Sequence, residues 1–147
     1  MSKAAILFNG IRFPFVVIDH AFEWARGADH SLRVIYLLAR HEISDGYVFP
    51  SDLDISENLS DDAETTRDND AVIRSNMQML NHRAQLEGIS FESLVLIDPS
   101  TKQLSEAVKD CKYIFVDEDI DEMTGSNIDI NIKKWSVGFT GSVQTVR

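Results

Sequence analysis

The sequence has few of the features that would place it outside an ordinary globular class. It has one cysteine, Cys111, in 147 residues. A single cysteine cannot form an internal disulfide, so nothing points to an oxidising compartment. Long hydrophobic runs are missing. The first apolar run, Ala4 to Phe8, stops at Asn9-Gly10, too short for a signal peptide and far too short for a membrane span. Bases are scarce, with 14 Lys and Arg against 24 Asp and Glu, a formal net charge of −10. That balance argues against unaided binding to nucleic acid, where a basic footprint supplies most of the affinity, and it disfavours anionic membrane surfaces. No internal repeat or low-complexity tract interrupts the chain. The expectation is a cytoplasmic protein folding as a single domain over residues 1–147, long enough to bury a core without disulfides or metal.

The acid is unevenly placed. From Glu42 to Asp70 there are ten acids and one base, Arg67, a net of −9 that nearly accounts for the whole chain. The last fifteen residues carry Lys133, Lys134 and Arg147 and no acid. Opposite charge in separate parts of one chain can attract within a molecule or between two copies.

Hydrophobic periodicity then lays out the elements. Ala4 to Phe8 reads as a buried strand ended by the turn pair Asn9-Gly10. Pro14 suits a helix start, Val17, Ile18, Ala21, Phe22, Trp24 and Ala25 follow at helical spacing, and Gly27 is a plausible stop. Leu32 to Ala39 is a second strand. Residues 39 to 60 lack a helical period and read as a long surface loop. From Asp61 to Leu86 a long helix is expected, with acids in its first turn and Ile73, Met77, Leu80 and Ala84 on one face. Ser93 to Ile97 is a third strand, broken at Asp98-Pro99. Ser100 with Gln103 resembles a capping box ahead of a short helix bearing Leu104, Ala107, Val108 and Cys111.

The stretch Lys112 to Glu122 organises the rest. Tyr113 to Val116 is a short aromatic and β-branched run, as buried parallel strands require. Five acids follow at once: Asp117, Glu118, Asp119, Asp121 and Glu122. Beyond them, Ile128, Ile130 and Ile132 alternate with polar residues like a half-exposed strand. Trp135, Val137 and Phe139 suggest a last strand ending at Gly141, with Val143 to Val146 as its extension. The whole reads as an α/β fold with an open, mostly parallel five-stranded sheet sandwiched by helices. The final strand is expected at an edge, where a second copy can pair.

Several of these patterns together resemble the universal stress protein family, over roughly Lys3 to Asp117. Ala5-Ile6-Leu7-Phe8-Asn9-Gly10 is similar to its first strand and Asp-Gly turn. Ile18-Asp19-His20-Ala21 is similar to its first helix. Val95-Leu96-Ile97-Asp98-Pro99 resembles its strand ending in Gly-Asp-Pro, and Lys112 to Val116 its fourth strand. ATP-binding members carry a glycine directly after that strand, two residues, a second glycine, nine residues, then glycine with Ser or Thr. Such a loop lets backbone N–H groups approach phosphate. The matching positions here are Asp117 and Ile120, and Gly125-Ser126 and Gly141-Ser142 lie at the wrong spacing. The resemblance therefore implies a degenerate nucleotide crevice formed by Asn9, Gly10, Leu37 and Asp117. Carboxylates there would oppose a triphosphate.

Other constellations fare worse. Counting a calcium loop from Asp117 puts Glu122 at the glycine position and Ile128 at the final glutamate, so the pattern fails. A looser divalent-cation site at these acids with Asn9, or a phosphoacceptor pocket with Asp98 and Lys133 or Lys134, is the remaining use of the cluster. His20, His30, His41 and His82 have no zinc-ligand spacing, and no nucleophile motif surrounds Cys111. The expectation is a non-enzymatic stress-response or regulatory protein without cofactor or metal, acting as a homodimer through its C-terminal edge strand. The alternative is an adenine-nucleotide or other small-ligand binder at the ends of strands 1 and 4, with a divalent cation bridging the acids to phosphate.

Overall fold

A computed structural model describes residues 2–10, 14–26, 29–39, 61–122 and 130–146, with backbone alone at 61–69 and 122. The loop expected over 40–60, Gly27, Gly125-Ser126, Ile128 and Arg147 lie outside the described residues. The elements are β1 (Ser2–Asn9), α1 (Phe15–Ala25), β2 (His30–Leu38), α2 (Asp61–Glu87), β3 (Ser90–Ile97), α3 (Thr101–Val108), β4 (Tyr113–Asp117), a 3-10 turn (Ile120–Glu122), α4 (Ile132–Ser136) and β5 (Ser142–Val146).

The five strands form one sheet in the order β3-β2-β1-β4-β5, and every pairing is parallel. Successive side chains of a strand point to opposite faces, and both faces are covered here. Ala4, Ile6, Phe8, Val34 and Tyr36 meet α1 and α2 on one side. Ala5, Leu7, Ile35 and Leu37 meet α3 and the α4 region on the other. Burial on both faces is why β1 and β2 read as continuous apolar runs and do not alternate. Ile73, Met77, Leu80 and Ala84 of α2 are all buried, as their spacing requires.

Local signals explain the element ends. The Ser100 hydroxyl accepts from Gln103 N–H at 3.1 Å and Gln103 Oε1 accepts from Ser100 N–H at 2.9 Å, a complete capping box. Gly88 ends α2 at φ 68°, a conformation most side chains avoid. Arg26 and Arg83 converge on Glu87, and Arg83 also reaches Asp19 at 2.8 Å. The end of α1 is thereby tied to the end of α2.

Four local expectations need correction. Trp135, Val137 and Phe139 do not form a strand. Ile132 to Ser136 is a helix, its N-cap Asn131 accepting from Lys134 N–H at 2.8 Å, and the last strand is the expected extension, Ser142–Val146. Ile130 and Ile132 are both buried, so their apolar spacing marks a packed loop and helix start. Cys111 lies beyond the end of α3, in the link to β4, and not on a helix face. It is buried there, and burial pushes its thiol up to about 11, which leaves it without thiolate at neutral pH. β3 also begins at Ser90, three residues ahead of the apolar run that announces it.

Among the described residues three buried side-chain polar atoms, His30 Nδ1, Ser31 Oγ and the Tyr36 hydroxyl, have no hydrogen-bond partner. The Tyr36 hydroxyl is enclosed, its ring 5.4 Å from that of Phe8. An enclosed, unpaired hydroxyl costs about 1–3 kcal/mol. Tyr36→Phe is therefore expected to raise the unfolding free energy by about 1 kcal/mol, read from the urea midpoint at constant slope.

Four charged residues join the amino-terminal ends of the strands. Arg33, largely enclosed, reaches Asp110 at 2.7 Å and Glu92 at 2.7 Å, and also donates to the carbonyl of Ala107. Lys3 pairs with Asp110 at 3.1 Å. Hydrogen bonds from Arg33 and then Lys3 hold the Asp110 carboxyl well below the usual carboxylate range. The unfolded chain thus takes up this proton first. The stabilisation is complete above about pH 4 and is lost as the pH falls further. Asp110 is partly exposed, so solvent screening shrinks the effect. Comparison of urea midpoints at pH 6 and pH 3 should show a smaller acid-induced loss in Arg33→Met than in the unmodified protein.

Candidate functional site

In a doubly wound sheet the crevice lies outside the carboxyl ends of the strands, where the strand order reverses. Here that place is between β1 and β4, and four elements converge on it: the end of β1, the start of the Asn9-Gly10 turn, the end of β4 and the 3-10 turn. Gly10 has φ 81° and donates its N–H to Leu37 O at 2.8 Å. Only a residue tolerant of the left-handed region allows the chain to leave β1 this way.

The sequence-derived site residues come together around this point, and among the described residues most of their surface is enclosed. Asn9 is 2% exposed and Leu37 fully enclosed. The Asn9 side-chain amide donates to the backbone carbonyl of Ile120 at 2.8 Å. The Ile120 side chain is itself fully buried, packed with Leu7, Leu37, Val116, Ile130 and Ile132. A branched apolar side chain thus fills the space at the tip of β1 and β4. Asp117 is half-buried, and its Oδ1 accepts from Asp119 N–H at 2.8 Å, folding the acid onto its own turn. The strand pairing continues past it, since Glu118 N–H donates to Val146 O at 2.9 Å.

Asp121 has a role that the linear sequence does not announce. Its carboxylate accepts from Ile132 N–H at 2.5 Å and Lys133 N–H at 2.9 Å. These are leading amides of α4, groups a helix leaves without internal partners. A charged acceptor also suits the positive end of the helix. The chain therefore supplies its own anion to that helix end. After nine intervening residues from Ile120, where the ATP-binding pattern has glycine and a hydroxyl, stand Ile130, buried, and Asn131, which caps α4. A capping residue before Lys133-Lys134-Trp135 was the one available sequence signal for α4. Nothing linked it to Asp121.

Among the described residues, no group of three or more His, Cys, Asp or Glu could hold a metal ion. The acids after β4 are spent individually, Asp117 on a turn and Asp121 on a helix end. His20 and His82 are exposed, and His30 stacks on Trp24 with ring centroids 4.0 Å apart. No helix among the described residues is long and apolar enough to cross a membrane.

Comparison with known proteins is informative at the level of fold. No protein-family model and no curated protein matches the chain. Solved structures do. A universal stress protein from Archaeoglobus fulgidus superposes with a TM-score of 0.60 at 10% identity, covering 100% of this chain and 99% of that one. A protein of the universal stress protein family from Burkholderia pseudomallei gives 0.58 at 13%, covering 99% and 95%. A universal stress protein family protein from Arabidopsis thaliana, solved with AMP bound, gives 0.54 at 14%, covering 99% and 91%. Strand order, parallel sheet and near-complete coverage agree, and this chain has the fold of the universal stress proteins.

Proposed function

We propose that this protein is a universal stress protein-like regulatory protein that acts by association, as a homodimer, without catalysing a reaction and without binding ATP. One observation carries the reading. At the tips of β1 and β4 the Ile120 side chain is buried and its carbonyl is held by the Asn9 amide. Asp121 adds to this by occupying the leading amides of α4. A phosphate entering there would have to displace a carboxylate bound through two N–H groups and would meet Asp117 and Asp119 close by. Like charges in a partly enclosed site cost on the order of kilocalories per mole each. The second reading, a nucleotide binder, draws on the AMP-bound neighbour from Arabidopsis thaliana and on another solved in complex with cAMP.

Equilibrium dialysis separates the two. With ATP, AMP or cAMP at millimolar concentration and Mg²⁺ present, no bound nucleotide is expected. Saturable binding below 1 mM, roughly 4 kcal/mol of affinity, would overturn the first reading and establish the second. The double variant Asp117→Gly, Ile120→Gly is expected to gain measurable ATP binding if its fold survives, as judged by far-UV circular dichroism.

A further inference from the structure

A cleft of about 460 Å³ lies between α3 and the segment that leads from α4 to β5. On one side α3 lends Thr101, Ser105 and Lys109, spaced four apart and therefore on one helix face. Val108, buried, closes the cleft from below. Trp135 and Phe139 form the other side. Both rings are half-buried and pack against the core with the rest of their surface open. The Trp135 indole N–H donates to Ser105 Oγ at 3.0 Å. That bond joins the two sides and holds the indole in place. A cavity of this size with aromatic walls and a few polar groups has the make-up of a small-molecule site.

The polar groups favour one sign of charge. Ser105 Oγ already accepts from the indole, which leaves its own O–H to donate. Thr101 and Thr140 add two more hydroxyls. Lys109 is the one charged residue of the lining, and no carboxylate lines the cleft. Lys109 does pair with Glu106 at 3.0 Å along α3, but both side chains are well exposed. Such a pair is weak, and an ammonium has three donors to share. The setting makes this selective. The chain carries a net charge of −10, yet the stretch from Ile130 to Val146 holds two lysines and no acid. The wall built from that stretch does not repel an anion.

We infer that this cleft binds a small planar aromatic carboxylate. Its ring lies against Trp135 and Phe139, and its carboxylate reaches the Lys109 ammonium and the Ser105 hydroxyl. A flat ring gains offset or edge contacts with aromatic walls. A carboxylate only accepts, and the ammonium and hydroxyls here are free to donate. A cation would be repelled by Lys109, and a neutral ring would leave the ammonium unmatched. The inference stands apart from the reading above. The cleft shares no residue with the tips of β1 and β4, and it requires neither association nor its absence.

The probe is 2-naphthoate, with 2-naphthamide as its neutral counterpart. The chain has two tryptophans, so a proton–nitrogen correlation spectrum carries two indole signals, and the one missing from Trp135→Phe belongs to Trp135. Titration of the unmodified protein with 2-naphthoate should shift the Trp135 signal saturably, with Kd below about 1 mM, and leave that of Trp24 in place. Lys109 is exposed, so Lys109→Gln is expected to keep the fold, read from unchanged backbone signals in the sheet. It should weaken 2-naphthoate binding roughly fivefold, the loss of one screened charge contact. 2-Naphthamide should bind the unmodified protein as weakly as 2-naphthoate binds that variant. No saturable shift at millimolar 2-naphthoate, or equal shifts at Trp24 and Trp135, would overturn the site. Equal affinity for the amide and the carboxylate, or a Lys109→Gln variant that binds 2-naphthoate undiminished, would overturn the assignment of an anion.

Discussion

Ile120→Ala is expected to lower the unfolding free energy by about 3 kcal/mol, within the range for emptying a fully enclosed isoleucine site. The side chain has no exposed surface and packs against both central strands and the α4 region. The backbone around it is held by Asn9 on one side and by the Asp121 contacts on the other. That tethering prevents collapse onto the void, so the cavity term adds to the lost transfer free energy. Ile120→Val should cost about 1 kcal/mol. Urea unfolding of both variants measures the pair. If Ile120 merely lay over an open crevice, both losses would fall below about 0.5 kcal/mol, as for surface substitutions, and the filled-crevice reading would fail.

Gly141→Ala should be as damaging for a different reason. A methyl at Gly141 would collide with the Lys112 carbonyl oxygen and lie 2.7 Å from Phe139 Cε1. The aromatic ring could shift, but the carbonyl could not. Lys112 O accepts from Ser142 N–H at 2.9 Å, and Lys112 N–H donates to Lys3 O at 2.8 Å, which ties β5 to β4 and β4 to β1. Relief would require peeling β5 from the sheet. Overpacking against fixed backbone costs about 3 kcal/mol, and for a chain of this size the midpoint should fall by roughly 10 °C. Differential scanning calorimetry gives the number, and a change under 2 °C would show that the β4–β5 junction yields.

Much of the fold was legible because its signals are local or periodic. Ile73, Met77, Leu80 and Ala84 share a helix face whatever packs against them. The Ser100–Gln103 box marks a helix start by backbone chemistry within a few residues. Tyr113 to Val116 read as a buried strand, and Ile114, Phe115 and Val116 are buried in β4. Where reading failed, the signal was ambiguous at short range. Trp135, Val137 and Phe139 alternate as a strand would. Asn131 capping Lys134, with Asp121 binding the amides of Ile132 and Lys133, turned that segment into a helix and left only Ser142 to Val146 for the sheet.

The candidate site divides in the same way. Asn9, Gly10, Leu37 and Asp117 were recognisable as neighbours through the family resemblance, and the parallel strand order does place the ends of β1, β2 and β4 together. That Asn9 would turn its amide to the Ile120 carbonyl, and that Ile120 would fill the crevice, follows from the path of the chain after β4. Local pattern alone specified a mostly parallel α/β sheet with an acidic turn after its fourth strand. The folded chain sets the inward path of that turn, with Ile120 buried and its carbonyl held by Asn9. Contacts between groups eleven or more residues apart depend on where the backbone returns, and neither propensity nor periodicity encodes that.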